Sequence, residues 1–209
     1  AGAALAAAAP RWLAVGVADA PCAPGSSCPR AGDFGGFGVP VPVSLPATGA
    51  ALLEPSACRL SAMPGSMLIA GWLAGGLGDR VTRIDPVLVD PQTAPADCAD
   101  LGRRLRELIS ATDEPVGVLV VADGATALSP SAPGGGERES AWELQHRVDA
   151  ALAAADGAAL AALDPEVCVA EGVAGRAPWQ VLAALIGDDT PASTEVRYAG
   201  APFGVGYSV

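Results

Sequence analysis

The sequence predicts an α/β protein, a three-layer α/β/α sandwich with a mainly parallel central sheet, formed as one domain over residues 1–209. Three observations predict it. Apolar runs of strand length at 11–17, 81–89 and 116–122 alternate with Ala- and Leu-rich stretches of helical period. Gly- and Pro-rich connections punctuate the alternation, as turns between packed elements require. Hydrophobic residues make up 51% of the chain and mean hydropathy is +0.37, enough apolar surface for a buried sheet.

The elements follow in chain order. AGAALAAAAP reads as a helix stopped before Pro10, and with no basic n-region it is not an intact signal peptide; a truncated first βα unit is expected. RWLAVGV at 11–17 is a strand, followed by a long Gly/Pro loop. VPVPVSL at 39–45 alternates, but its prolines restrict it to an edge strand or extended loop. A helix is expected over 66–77, a strand over 81–89 and a helix over 96–111. Residues 116–122 form the only uninterrupted β-branched run, which predicts a central strand buried on both faces. Beyond it, apolar residues at 141, 144, 148, 151, 152 and 155 mark a helix over 139–155, broken at Asp156-Gly157. A second Ala/Leu helix runs to Leu163, a third spans 177–186 and closes at Gly187, and EVRYA at 195–199 is a terminal strand.

Charge excludes several functions. The formal net charge is -11, and all 12 basic residues are arginine. Without lysine there is no P-loop lysine, no Schiff-base lysine and no Ser-Lys dyad. An acidic chain lacks the basic field that nucleic acid selects, so no nucleic-acid partner is expected. The one dense basic cluster, Arg103, Arg104 and Arg106, sits on a helix beside Glu107 as a solvated face.

Five cysteines, Cys22, Cys28, Cys58, Cys98 and Cys168, are odd in number and dispersed. That pattern suits reduced thiols in a cytoplasm better than a disulfide framework, with a local Cys22–Cys28 bridge as the conceivable exception. The absence of any CxxC pair argues against cysteine-held zinc. Between Arg59 and Asp79 lie 19 uncharged residues, but Pro64 and several glycines leave a helix shorter than a bilayer requires. A buried helix is expected there, with the Gly71/Gly75 spacing serving close packing on a sheet, and no membrane partner.

Candidate functional residues cluster at strand ends. In open α/β sheets ligands bind beyond the carboxyl ends of the strands, so the loop opening at Asp123-Gly124, with Thr126, is the first place to look. Asp19 and Asp33 lie at comparable loop positions, and carboxylates gathered in one cleft could hold a cation or act as an acid/base pair. Asp123 can equally be the turn residue of an Asp-Gly step. AGDFGGFG at 31–38 matches no phosphate-loop pattern and reads as a turn-rich connection. His146 is the sole histidine; Asp149 is spaced to orient it, but its position projects from the apolar stripe and no GxSxG elbow accompanies it. Asp188-Asp189 reads as an exposed helix-end turn.

Taken in order, VLVVADGATAL, HRVDAALAAADGAALAALDPE, GVAGRAPWQVLAALIG and APFGVGYSV resemble the class III extradiol ring-cleavage dioxygenases, in their B-subunit-like (LigB-like) branch with its uncharacterised Ala-rich members of high-GC bacteria. GDFGGFGVPVPVSL adds weaker support. The resemblance implies a mononuclear Fe(II) held by two histidines and a glutamate, with a further histidine as acid/base, opening a catechol ring with O2. Such a facial ligand set leaves open positions for catecholate and oxygen. This sequence departs from it throughout. The first strand and its histidine would precede Ala1, and ADAP follows strand 11–17 where a second histidine is expected. DGATAL at 123–128 replaces a strand end of the form S-G-D-x-S-H, and the glutamate position falls near Gly175, ahead of Trp179.

The ligands that the resemblance implies for iron are therefore not found, and no metal or cofactor is assigned. The leading expectation is a dioxygenase-like fold that has lost its iron centre and binds a small molecule or serves in assembly, with a homo-oligomer as a possible form. The candidate cleft would be lined by Asp19, Asp33, Asp123, Gly124 and Thr126. Two alternatives stand beside it: a carboxylate-based enzyme using the same cleft, and an Fe(II) ring-cleavage enzyme acting on a catechol-type substrate with histidines supplied from elsewhere.

Overall fold

A computed structural model describes residues 2–23, 26–53 and 60–209, so Cys58 lies outside the described residues. The protein is mixed α/β and divides into two compact units, Ala1–Asp90 with Arg104–Val121, and Pro91–Arg103 with Ala122–Val209.

In the first unit, helix α1 (Gly2–Ala8) stops before Pro10, and the Trp12 indole N–H donates to the Ala9 carbonyl at 3.0 Å, fixing the turn into strand β1 (Arg11–Val17). Strands β2 (Ala31–Asp33) and β3 (Pro42–Ser44) form a short antiparallel ribbon, with Pro42 at the first position of its strand, where no ladder donor is lost. Helix α2 (Gly65–Gly75) packs on β1 at a glycine. A Cβ on Gly16 would meet Ser66 Oγ at 2.5 Å, and that hydroxyl donates to the Val17 carbonyl at 2.7 Å. Gly71 of α2 approaches the Ser44 backbone of β3 as its spacing predicted, whereas Gly75 faces open space. Among the described residues no helix is long and apolar enough to cross a membrane.

Strand β4 (Arg83–Val89), helix α3 (Pro95–Ser110) and strand β5 (Val116–Val121) complete the alternation. The sheet is parallel, three-stranded among the described residues, and ordered β4-β1-β5. This corrects one expectation: β5 is an outer strand and mostly half-buried, while β1, flanked on both sides, carries the buried run from Trp12 to Gly16. A β-branched run records local strand preference, but not which strand receives neighbours on both edges. Pro86 is tolerated in β4 because that strand is also outermost.

The second unit is mainly helical. Helix α4 (Glu139–Ala154) buries Ala141, Leu144, Val148 and Ala151, and ends where Ala155 adopts φ 50°. The Asp156 side chain then caps α5 (Gly157–Ala161) by accepting from the Ala159 N–H at 2.9 Å. Helix α6 (Pro165–Ala170) was not anticipated, although ALDPEV carried its signal. Asp164 Oδ1 accepts from the Glu166 and Val167 N–H groups at 2.8 and 3.0 Å, and Pro165 occupies the first turn. Helix α7 (Arg176–Ile186) closes at Gly187 as expected. The terminal strand contracts from 195–199 to β6 (Ala199–Gly200), paired with β7 (Tyr207–Ser208), because its partner is the short returning tail.

Candidate functional site

The loop after β5 belongs to the second unit and is closed by its own chain. The Gly124 N–H donates to the Gly206 carbonyl at 3.0 Å, the Gly206 N–H to Ala125 at 2.9 Å, and the Leu128 N–H to Gly204 at 3.0 Å. The carboxy-terminal tail is thereby laced along the loop. Gln145 of α4, only 4% exposed, plugs the space behind it: its Oε1 accepts from the Ala125 N–H at 2.9 Å and its Nε2 donates to Asp149 Oδ1 at 2.8 Å. The Ser208 hydroxyl donates to the same Asp149 oxygen.

Thr126 is held through its backbone, its N–H donating to the Glu171 carbonyl at 3.1 Å and its carbonyl accepting from the Gly134 N–H at 2.7 Å. The Glu171 carboxylate accepts from Ser140 Oγ at 2.7 Å and Arg138 Nε at 2.9 Å. The Ser140 hydrogen bond, opposed by burial and joined by Arg138, holds Glu171 below the usual carboxylate range. Arg138 also donates to the Gly134 and Ala170 carbonyls at 2.8 and 2.9 Å, binding the far end of the loop to α6. Nearly every polar group here is satisfied by another part of the protein, which is how a structural node is built.

Of the candidate residues, Asp123, Gly124 and Thr126 lie together in this loop, with Gly124 buried and Asp123 exposed. Asp123 accepts through its backbone carbonyl from the Gly175 N–H at 3.0 Å, and its carboxylate, after burial, raises the Tyr207 phenol pKa. Asp19 and Asp33 belong to the first unit, each committed to local structure. Asp19 Oδ2 accepts from the Gly65 N–H at 2.9 Å at the start of α2, and Asp33 Oδ1 accepts from the Gly35 N–H at 2.5 Å, capping a 3-10 turn at 34–37. The Gly-rich stretch at 31–38 is therefore a strand end and turn, as its pattern predicted.

His146 is exposed on α4, its ring centroid 5.6 Å from that of Trp142. Asp149, which its spacing offered as an orienting carboxylate, is taken instead by Gln145 and Ser208. Gly175, near which the expected glutamate falls, has no room for a side chain. A Cβ there would lie 2.5 Å from the Asp123 carbonyl and 3.0 Å from Trp179. An iron centre of two imidazoles and a carboxylate does not fit these residues, since the chain has a single imidazole, exposed on α4, and Gly175 near the expected carboxylate is closed in by the Asp123 backbone. Among the described residues no group of three or more His, Cys, Asp or Glu side chains could hold a metal ion.

Sequence reasoning missed Gln145, Glu171 and Tyr207, and the signal for Gln145 was present: a polar residue inside an apolar helical stripe is buried only with partners. Neither the protein-family models nor the curated proteins match this chain.

Proposed function

We propose that this chain is a binding or assembly protein built on an extradiol-dioxygenase-like three-layer α/β/α fold, acting without the family's iron chemistry. The observation that carries the reading is the single imidazole, His146, exposed on α4, and Gly175, near the expected glutamate, whose neighbours leave no space for a side chain, supports it. The alternation of strands and helices, the parallel β4-β1-β5 order and the ordered resemblance of the carboxy-terminal half support the fold assignment. A cytoplasmic location is supported by the odd cysteine count and by Cys98 and Cys168, both buried as thiols.

Ring cleavage needs a metal that binds catecholate and O2 side by side, and a base to take the catechol proton. Asp123 provides one carboxylate beside a phenol, which is neither ligand set nor proton relay. Anaerobic reconstitution with Fe(II), followed by metal analysis and oxygen uptake with protocatechuate and catechol, tests the proposal. We expect iron far below one equivalent and no catechol-dependent uptake; near-stoichiometric iron with substrate-dependent uptake would overturn it.

A further inference from the structure

A second polar cluster sits at the opposite, amino-terminal edge of the first unit's sheet. Arg11 opens β1, Arg83 opens β4, and the two are registered partners across the parallel pair. Like charges side by side on neighbouring strands repel. One buried carboxylate answers both: Asp85, 2% exposed and two residues along β4, accepts from Arg83 Nε at 2.7 Å and lies 3.6 Å from Arg11 Nη2. Its Oδ2 also accepts from the Leu52 N–H at 3.2 Å.

Backbone carbonyls take most of the remaining donors. Arg83 Nη1 donates to Ala47 and Gly49 at 3.0 and 2.7 Å, and Arg11 Nη2 donates to Ala50 at 2.5 Å. A third guanidinium, Arg30, donates to the Pro46 and Ile84 carbonyls at 2.6 Å. Burial and then the charge of Arg83 depress its pKa, so the arginines sense one another. The Nε atoms of Arg11 and Arg30 are buried with no hydrogen-bond partner among the described residues.

Among the described residues the largely buried charges of the cluster are three guanidiniums and one carboxylate, Asp85, while the acids on the cavity wall are exposed: Asp113 lines it, and Glu114 stands 3.4 Å from Arg11 Nη1 with 71% of its side chain exposed. So exposed a partner contributes weakly and is readily displaced. In a chain of net charge -11 the excess of guanidinium is thus confined to the buried part of the cluster, with the balancing acids at the surface. Directly over it opens a cavity of about 830 Å³, lined by Arg11, Arg83, Thr48, Thr112, Asp113 and Glu114. That volume falls in the range of small-molecule sites, about 300–1,000 Å³.

We propose that this cavity binds a small molecule through an oxyanion group, carboxylate or phosphate, seated against Arg11 and Arg83 with the Thr48 and Thr112 hydroxyls as further donors. Guanidinium forks match the two oxygens of such groups, and largely buried guanidiniums whose acidic neighbours on the cavity wall are exposed to water gain from an anion seated against them. Glu114 competes with the ligand for Arg11. The proposal is independent of the iron question, because all of its residues belong to the first unit and none to the loop after β5.

Titration calorimetry of the full chain at low ionic strength, with inorganic phosphate and with succinate as separate probes, tests it. We expect saturable binding of at least one probe, and the preferred probe identifies the group. Glu114→Gln removes the competitor and tightens binding at least three-fold. Arg11→Met leaves the Arg83–Asp85 pair in place and weakens binding ten-fold or more. Absence of saturable binding in both wild type and Glu114→Gln overturns the proposal, as does an Arg11→Met variant that binds like wild type. Since Glu114 is exposed, its variant folds whatever Arg11→Met does; failure of Glu114→Gln to tighten binding is also decisive against the site.

Discussion

Gly124 and Gly206 mark a very close approach in the second unit, since a Cβ on either would fall within 2.1 Å of Gln145 Oε1. The pair of glycines is what allows a glutamine to sit behind the loop and satisfy the Ala125 N–H. Gly124→Ala therefore forces the Gln145 side chain or the loop to move, and overpacking of this kind costs about 1–3 kcal/mol. Gln145→Ala removes the obstacle but strands the buried Ala125 donor, at about 1–3 kcal/mol. Because the two changes share one contact, the double variant should lose less stability than the sum of the single variants. Urea unfolding of the four proteins measures the cycle, and strict additivity would mean that the residues do not meet.

At the scale of elements, Arg176 decides how α7 is held. It is 1% exposed and its acceptors are neutral: Nη1 donates to Gln180 Oε1 at 2.7 Å, and Nη2 to the Pro91 and Thr93 carbonyls at 2.5 and 2.9 Å. Gln180 passes the connection on, its Nε2 donating to the Ala161 and Leu163 carbonyls at 3.0 Å. Two residues one turn apart thus tie α7 to the segment before α3 and to the end of α5. Arg176→Met keeps the bulk but strands several buried acceptors, so a loss of about 3 kcal/mol or more is expected from the penalty per unsatisfied group. A shift in the urea midpoint measures it; a loss below about 1 kcal/mol would show that water replaces the guanidinium at little cost.

For the whole molecule, the division into two compact units gives the thiols a use as reporters. Cys98 and Cys168 both belong to the second unit and are 0% and 1% exposed. Burial, partly offset by Arg176, raises both thiols, and Cys168 is pushed up to about 11. A buried thiol with so little thiolate at neutral pH reacts only when its surroundings open. Alkylation at pH 8 without reductant, followed by peptide mapping across a urea series, should show both cysteines protected in the native state and exposed with the same urea dependence. Fast labelling of either thiol without denaturant would contradict the packing, and resistance in full denaturant would reveal a disulfide.

The sequence alone determined the kinds of element and most of their bounds: the helix stopped before Pro10, strand 11–17, the α4 stripe, the Gly187 stop and the solvated faces of Arg103 and His146. Those features rest on periodicity, backbone restriction and capping, which act over a few residues and are written where they act. Even α6 was available in Asp164-Pro165. Tertiary structure decided the rest. It placed β1 rather than β5 at the sheet centre, gave Asp19 and Asp33 to helix starts, closed the loop after β5 with the tail, and brought Arg11 and Arg83 to a shared carboxylate. Each of these depends on residues far apart in sequence meeting at contact distance. Strand order, burial and the balance of charge in a cavity are properties of such meetings, so the same residues read singly could not announce them.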